Sequence, residues 1–171
     1  MRILTIHNHY LIRGGEDESF AAEDRLLREM GHQVDVYEEH NERIAQLGLW
    51  QTGLRAAWSQ ESYHLIREKL RASPHDILHV QNFFPLISPS VYYAAKAEGV
   101  AVVQSLRNYR LSCPDALFFR DGKVCESCLG KAVPWPGVVH RCYRGSFTAS
   151  GATAIALTLH RAIGTWDKMV D

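Results

Sequence analysis

The sequence predicts an α/β fold: a parallel sheet with helices on both faces. Three observations predict it. Short apolar runs alternate with amphipathic stretches over the first hundred residues, glycine or proline marks most of the joints, and each apolar run ends in polar residues. Parallel strands joined by helical crossovers have this signature, because the right-handed connection carries each helix back across the sheet.

Taken in order, residues 2–7 form the first apolar run, and Arg13-Gly14-Gly15 makes a loop before a helix expected over Glu16–Met30, with Phe20, Leu27 and Met30 near one stripe. Glu23 falls in that stripe, where it can either bond a loop end or face a cleft. Gly31-His32 supplies a helix stop, and Gln33–Tyr37 reads as a second strand. The stretch from about Asn41 to Ala72 is free of proline and rich in Leu, Ala, Arg and Glu. It is expected to be mainly helical, broken near Gly48 or Gly53 and ended before Pro74. A third strand is expected over Asp76–Gln81, then a helix over Ser88–Glu98 with Ser88 as N-cap and Pro89 in its first turn, then a fourth strand over Ala101–Leu106.

From about 108 to 146 the periodicity disappears. This stretch holds all four cysteines, three of the six prolines and an Asp121-Gly122 turn, and it predicts an irregular Cys-rich excursion. Phe147–Met169 returns to a helical pattern, with His160 and Arg161 read as a solvated face. The 171 residues are expected to form one domain, since a chain of this length buries roughly two-thirds of its unfolded surface.

Composition narrows the function. Nineteen basic residues balance nineteen acidic ones, so no whole-chain field favours nucleic acid or anionic lipid. No run approaches the roughly twenty apolar residues of a membrane span, and the N-terminus has no signal-peptide core. A cytoplasmic protein is expected, with reduced or metal-bound cysteines.

In an open parallel sheet, ligands bind beyond the carboxyl ends of the strands. Here those positions carry His7, Asn8 and His9, then His79, Gln81 and Asn82, then Arg107, Asn108 and Tyr109. Three polar sets on one edge predict a small-molecule cleft. Gly14 and Gly15 stand where backbone N–H groups can approach a phosphate at a helix N-terminus, or where a helix merely starts well on Glu16 and Asp17. The Gly-x-Gly-x-x-Gly fingerprint of dinucleotide enzymes is absent. Cys113, Cys125, Cys128 and Cys142 are separated by eleven, two and thirteen residues, and the Cys-x-x-Cys pair has zinc-knuckle spacing. They are candidate ligands of a structural zinc, with His140 as a substitute, or else unligated thiols. Trp135 is either a packing anchor or a sugar-stacking platform.

Several of these segments also resemble a known family. Arg13-Gly14-Gly15-Glu16-Asp17, Asn82-Phe83-Phe84-Pro85-Leu86 with Ser88-Pro89-Ser90, and Asn108-Tyr109-Arg110-Leu111 leading to Cys113-Pro114 resemble bacterial glycosyltransferase family 4 proteins of the group 1 type. Phe118-Phe119-Arg120-Asp121-Gly122, Cys125-x-x-Cys128 and Pro134-Trp135-Pro136-Gly137 extend the match over nearly the whole chain. It is specific in the middle third and generic at the glycine loop.

The resemblance implies a retaining hexosyltransferase of GT-B architecture, in which two Rossmann-like domains face a cleft. The donor is a nucleotide sugar, the acceptor a glycan or lipid-linked sugar of envelope or polysaccharide synthesis, and no metal is required for catalysis. This chain corresponds to the N-terminal, acceptor-side domain, whose glycine loop approaches the donor phosphates, here through Gly14 and Gly15. The paired-glutamate motif of the C-terminal donor-binding domain has no match in the 171 residues, and the ending at Asp171 is abrupt for this fold. A truncated protein, inactive without that second domain, is therefore expected, cytoplasmic and at most peripherally membrane-bound.

Two departures matter. Relatives commonly carry Leu-His-Asn-Tyr where this chain has Leu106-Arg107-Asn108-Tyr109, and often His in place of Gln81. Arg107 stays protonated and cannot be a general base, though it can meet a phosphate. Asn8, Asn82, Arg107, Asn108 and Tyr109 are accordingly nominated as cleft or acceptor-binding residues, and no catalytic residue is named. The alternative is a non-catalytic binding or scaffold module stabilised by a Cys-rich zinc site.

Overall fold

The computed structural model describes all 171 residues. Four strands, β1 (Arg2–His9), β2 (Gln33–His40), β3 (Ile77–Val80) and β4 (Ala101–Gln104), form one parallel sheet in the order β2-β1-β3-β4. The predicted alternation is thus present. β1 is central, and its Ile3–Asn8 stretch is buried on both faces, as a strand between two helical layers must be. β2 lies at the edge and alternates buried Val34, Tyr37 and Glu39 with more open neighbours.

The crossovers explain the layering. From β1 the chain passes through α1 (Gly15–Glu29) outward to β2, whereas β3 passes through α4 (Ser90–Ala97) outward in the opposite direction to β4. Right-handed connections running opposite ways place α1 and α4 on opposite faces. Between β2 and β3 lie a short 3-10 turn, α2 (Ile44–Ala57) and α3 (Gln60–Ala72). α3 and α4 pack together over Leu4, Ile6, Leu78, Val80 and Val102, with Ile66, Val91 and Tyr92 wholly buried between them. Burying such aliphatic side chains contributes about 1.5–3 kcal/mol each.

Three boundaries differ from expectation. Gly48 breaks α2 with φ +75°, as foreseen, but a second break falls at Trp58-Ser59, where Ser59 caps α3 by accepting from the Ser62 N–H at 3.2 Å. Pro89, rather than Ser88, occupies the N-cap of α4. Ser88 has φ +68°, and its hydroxyl accepts from the N–H groups of Ser90 at 3.2 Å and Ser59 at 2.8 Å, stapling α3 to α4. Met30 is exposed at the end of α1 instead of completing an apolar stripe.

Between β4 and the long helix α6 (Phe147–Ala162), regular structure is limited to a hairpin of β5 (Phe119–Arg120) and β6 (Lys123–Val124) and a five-residue helix α5 (Trp135–Val139). The hairpin turns on Asp121 and Gly122, both with positive φ as a type I′ turn requires. A last short helix, α7 (Thr165–Lys168), follows Gly164. No helix is long and apolar enough to cross a membrane.

His160 is not on a solvated face. It is buried against α7, with its ring nitrogens 2.9 Å from the Thr165 hydroxyl and 2.7 Å from the Ala57 carbonyl. A helical pattern alone hides this, because the partners come from segments 5 and 103 residues away.

Candidate functional site

The strand order reverses direction between β1 and β3, so the crevice of this sheet opens beyond their carboxyl ends. β1 delivers Asn8 and His9 there, β3 leads into Gln81 and Asn82, and β4 leads through Ser105 to Asn108. The glycine loop and the first turn of α1 form the rim.

Asn8 and Asn82 make the floor. Asn82 donates from its side-chain amide to the Asn8 carbonyl at 2.7 Å and accepts from the Phe84 N–H at 3.0 Å. Asn8 donates to the Asn41 side chain at 2.9 Å and accepts from the Leu86 N–H at 3.2 Å. Both are buried, so these two nominated residues hold the 82–86 loop across the strand ends and offer no free amide to the crevice.

Arg107, just beyond β4, donates to the side-chain amide oxygen of Gln81 from two nitrogens at 3.0 and 2.9 Å and to a carboxylate oxygen of Glu23. Gln81 donates to the other Glu23 oxygen, and His79 lies 2.9 Å from the Ser105 hydroxyl. Burial would raise the Glu23 carboxyl, but the bonds from Gln81 and Arg107 and the guanidinium charge hold it below its ordinary value. Burial, followed by the opposing charges of Glu23 and Arg107, leaves His79 below its ordinary value and therefore neutral at pH 7. Glu23, whose place the sequence left open, is the anion that anchors this network.

Glu16 closes the rim. It accepts from Asn108 at 2.6 Å and from the Tyr10 hydroxyl at 3.0 Å, tying the loop before α1 to the end of β4. Asp17 caps the loop by accepting from the Gly14 N–H at 3.0 Å. Its other oxygen is shared by His7 at 2.9 Å and His9 at 3.1 Å. Burial opposes ionisation of Asp17, yet the bonds from His7 and Gly14 keep its carboxyl below its ordinary value. An ionised carboxylate only accepts, so the wholly buried His7 carries its proton on Nε2, stacks on Phe20 at 4.4 Å and leaves Nδ1 without a partner. His9 also meets Glu38 at 2.8 Å. His7, His9 and Asp17 place three potential metal-ligand atoms within 4.8 Å of one another, but each is already bonded within the trio.

The two glycines have no internal reason to be glycine. Gly14 is extended, at φ −133°, and a Cβ on Gly15 would meet nothing within 4 Å. Their smallness leaves room for an external group beside the positive end of α1.

Between Phe84, Arg107 and Asn108 lies a cavity of about 20 Å³, walled on the far side by Arg110, whose guanidinium sits 4.5 Å over the Phe84 ring and 5.0 Å over the Tyr143 ring. Tyr109 is largely exposed and tilts against Phe118 at 4.9 Å. Trp135 is likewise exposed, with Lys131 over its ring, and does not anchor the packing. Cys113, Cys125, Cys128 and Cys142 line a second cavity, away from the strand ends, although no three of their sulfurs lie within 4.8 Å of one another.

No family model, curated protein or solved structure matches the chain.

Proposed function

We propose that this chain is the acceptor-side, Rossmann-like domain of a retaining GT-B glycosyltransferase, a hexosyltransferase that takes a nucleotide sugar as donor and a glycan or lipid-linked sugar as acceptor. One observation carries the proposal. The glycine loop, Glu16, Asn108 and the Glu23–Arg107–Gln81 network gather at the switch point of a parallel sheet, where a phosphate can lie against Gly14 and Gly15. The sequence motifs that resemble glycosyltransferase family 4 support the same assignment.

In this proposal a donor-binding domain completes the cleft and supplies the nucleotide contacts. Arg107 and Tyr109 face the transferred sugar or acceptor, and Asn8 and Asn82 act by shaping the floor. No metal ion is needed for transfer. The protein works in the cytoplasm, at most in peripheral contact with the inner face of the membrane.

A binding or scaffold module is the second reading, and Arg107 favours it. The guanidinium is committed to Glu23 and Gln81, and nothing at this position can accept a proton. Calorimetric titration with UDP, GDP and their common sugar conjugates separates the two, using the chain alone and joined to a GT-B donor-binding domain. Micromolar binding that requires both halves and is lost in Gly15→Val supports the transferase. A joined protein indifferent to every nucleotide sugar gives the lead to the binding module.

A further inference from the structure

Residues 108–146 lack an apolar core of their own. Their fully buried members are Cys113, Pro114, Ala116, Cys128, Pro134, Pro136 and Gly137, and no large aliphatic or aromatic side chain is among them. Leu117, Phe119, Val124, Leu129, Val133 and Trp135 are all exposed. The backbone is also strained: of the six non-glycine residues with positive φ in the chain, Ala116, Phe118, Asp121, Arg141 and Arg144 lie here. Each such conformation costs on the order of 1 kcal/mol or more and persists only where other interactions over-determine it. Leu111 and Tyr143 pack against the main core near the two ends of the segment, but the part between them has little burial to hold it.

The four cysteines occupy the place where such an interaction would sit. Cys125 leads into a tight turn that contains Cys128, closed by the Leu129 N–H on the Glu126 carbonyl at 2.9 Å with Gly130 at φ +71°, and both cysteines line the same cavity. The other two thiols come from separate irregular stretches of the segment. Gly137 abuts Pro114 so closely that a Cβ would stand 2.8 Å from the proline ring, and the Gly137 carbonyl accepts from the Cys142 N–H at 2.9 Å, which brings Cys142 alongside Cys113. The shared cavity is about 20 Å³, room for one ion or water. Arg120 lies in its wall, and Arg161 fixes the base of the excursion through the carbonyls of Leu111 and Lys131 at 2.6 and 2.9 Å. His140 is exposed and outside the cavity wall.

We propose that Cys113, Cys125, Cys128 and Cys142 bind one structural zinc ion as a tetrahedral thiolate site that holds residues 108–146 together. Four thiols release four protons to solvent as the ion binds, leaving a site of net charge −2 that Arg120 offsets. Sulfurs around zinc stand roughly 3.8 Å apart, so binding draws this cluster in by about an ångström or more, a movement that a region without a packed core permits. The site is independent of glycosyl transfer. It does, however, brace Asn108–Arg110, which form the cleft wall at the start of the same segment.

The test is metal content of the full chain purified under reducing conditions, with cobalt substitution of the same protein. One zinc per chain is expected, with intense thiolate-to-cobalt charge transfer and a tetrahedral d–d spectrum in the cobalt form. Cys128→Ser should lose the metal. Because that variant can also unfold, tryptic cleavage after Arg120, Lys123 and Lys131 is followed in the wild-type chain. Chelation should raise its rate by at least about tenfold, since cleavage tracks the population of open chain. Four freely reactive thiols without metal, or a mass lower by four hydrogens from two disulfides, would overturn the proposal. So would zinc that survives the double variant Cys113→Ser/Cys128→Ser, and its loss with His7→Gln would then place the ion at His7, His9 and Asp17.

Discussion

The side-chain amide of Asn108 donates to Glu16 at 2.6 Å across 92 residues of sequence, joining the end of β4 to the first turn of α1. Acidic residues in a first helical turn are usually explained by the helix dipole alone. Here Glu16 also receives the Tyr10 hydroxyl, and burial together with that carboxylate pushes the Tyr10 phenol above its ordinary value. Glu16→Ala should therefore cost about 1–2 kcal/mol in urea unfolding, since two half-buried donors lose their acceptor. A cost within a few tenths of zero would reduce Glu16 to a dipole partner.

Arg107 and Glu23 should behave as a coupled but modest pair. Their side chains are 22% and 38% exposed, so solvent screens the charge interaction. Arg107→Met should cost about 1 kcal/mol, mainly through the stranded side-chain amide oxygen of the buried Gln81. A double-mutant cycle with Glu23→Gln should give a coupling of about 0.5–1 kcal/mol. Zero coupling would mean that the network in the crevice does not persist in solution.

Gly15→Ala tests whether the glycine serves the fold. It is the first residue of α1, with open space where the Cβ would go, so the change should leave stability unchanged or raise it by up to about 1 kcal/mol. Thermal unfolding checks this directly. A loss of stability would show that glycine is needed by the chain and would remove the argument for an external phosphate.

Stability should fall as pH drops below about 6.5. Burial places His7, His79 and His160 below their ordinary value of 6.5. In acid, the unfolded chain therefore takes up protons before the folded one does. The stability these groups contribute is complete above 6.5 and is lost as pH falls through it, by at most about 1.4 kcal/mol per pH unit for each histidine. Urea midpoints measured between about pH 7.5 and pH 5.5 should show the decline, and His160→Gln should make it shallower. A flat profile would mean that these rings are not held neutral.

The strands were legible because each is a short apolar run closed by turn-forming residues, and the parallel sheet gathers their polar ends along one edge. The run of β1 nonetheless continues through His7, Asn8 and His9, which look like loop residues until Asp17, Asn41 and the Leu86 N–H satisfy them. The same limit conceals His160 and the second helix break at Ser59. Glu23 fell in an apolar helical stripe, so its partners Gln81 and Arg107 became evident only once β3 and β4 lay side by side. Whether a polar residue is solvated or paired depends on long-range neighbours, which periodicity does not report.

The buried pair Asn8 and Asn82 has a consequence for how any ligand would be met. The Phe84 and Leu86 N–H groups are bonded to the two asparagines before a ligand arrives, so the floor of the crevice is ordered in advance. The opposite wall is fixed as well: Asn108 donates to Glu16, and the Arg110 guanidinium lies against the Phe84 and Tyr143 rings. A ligand entering this crevice would then meet walls already set, and the ordering cost of binding would fall mainly on the exposed Tyr109 side chain.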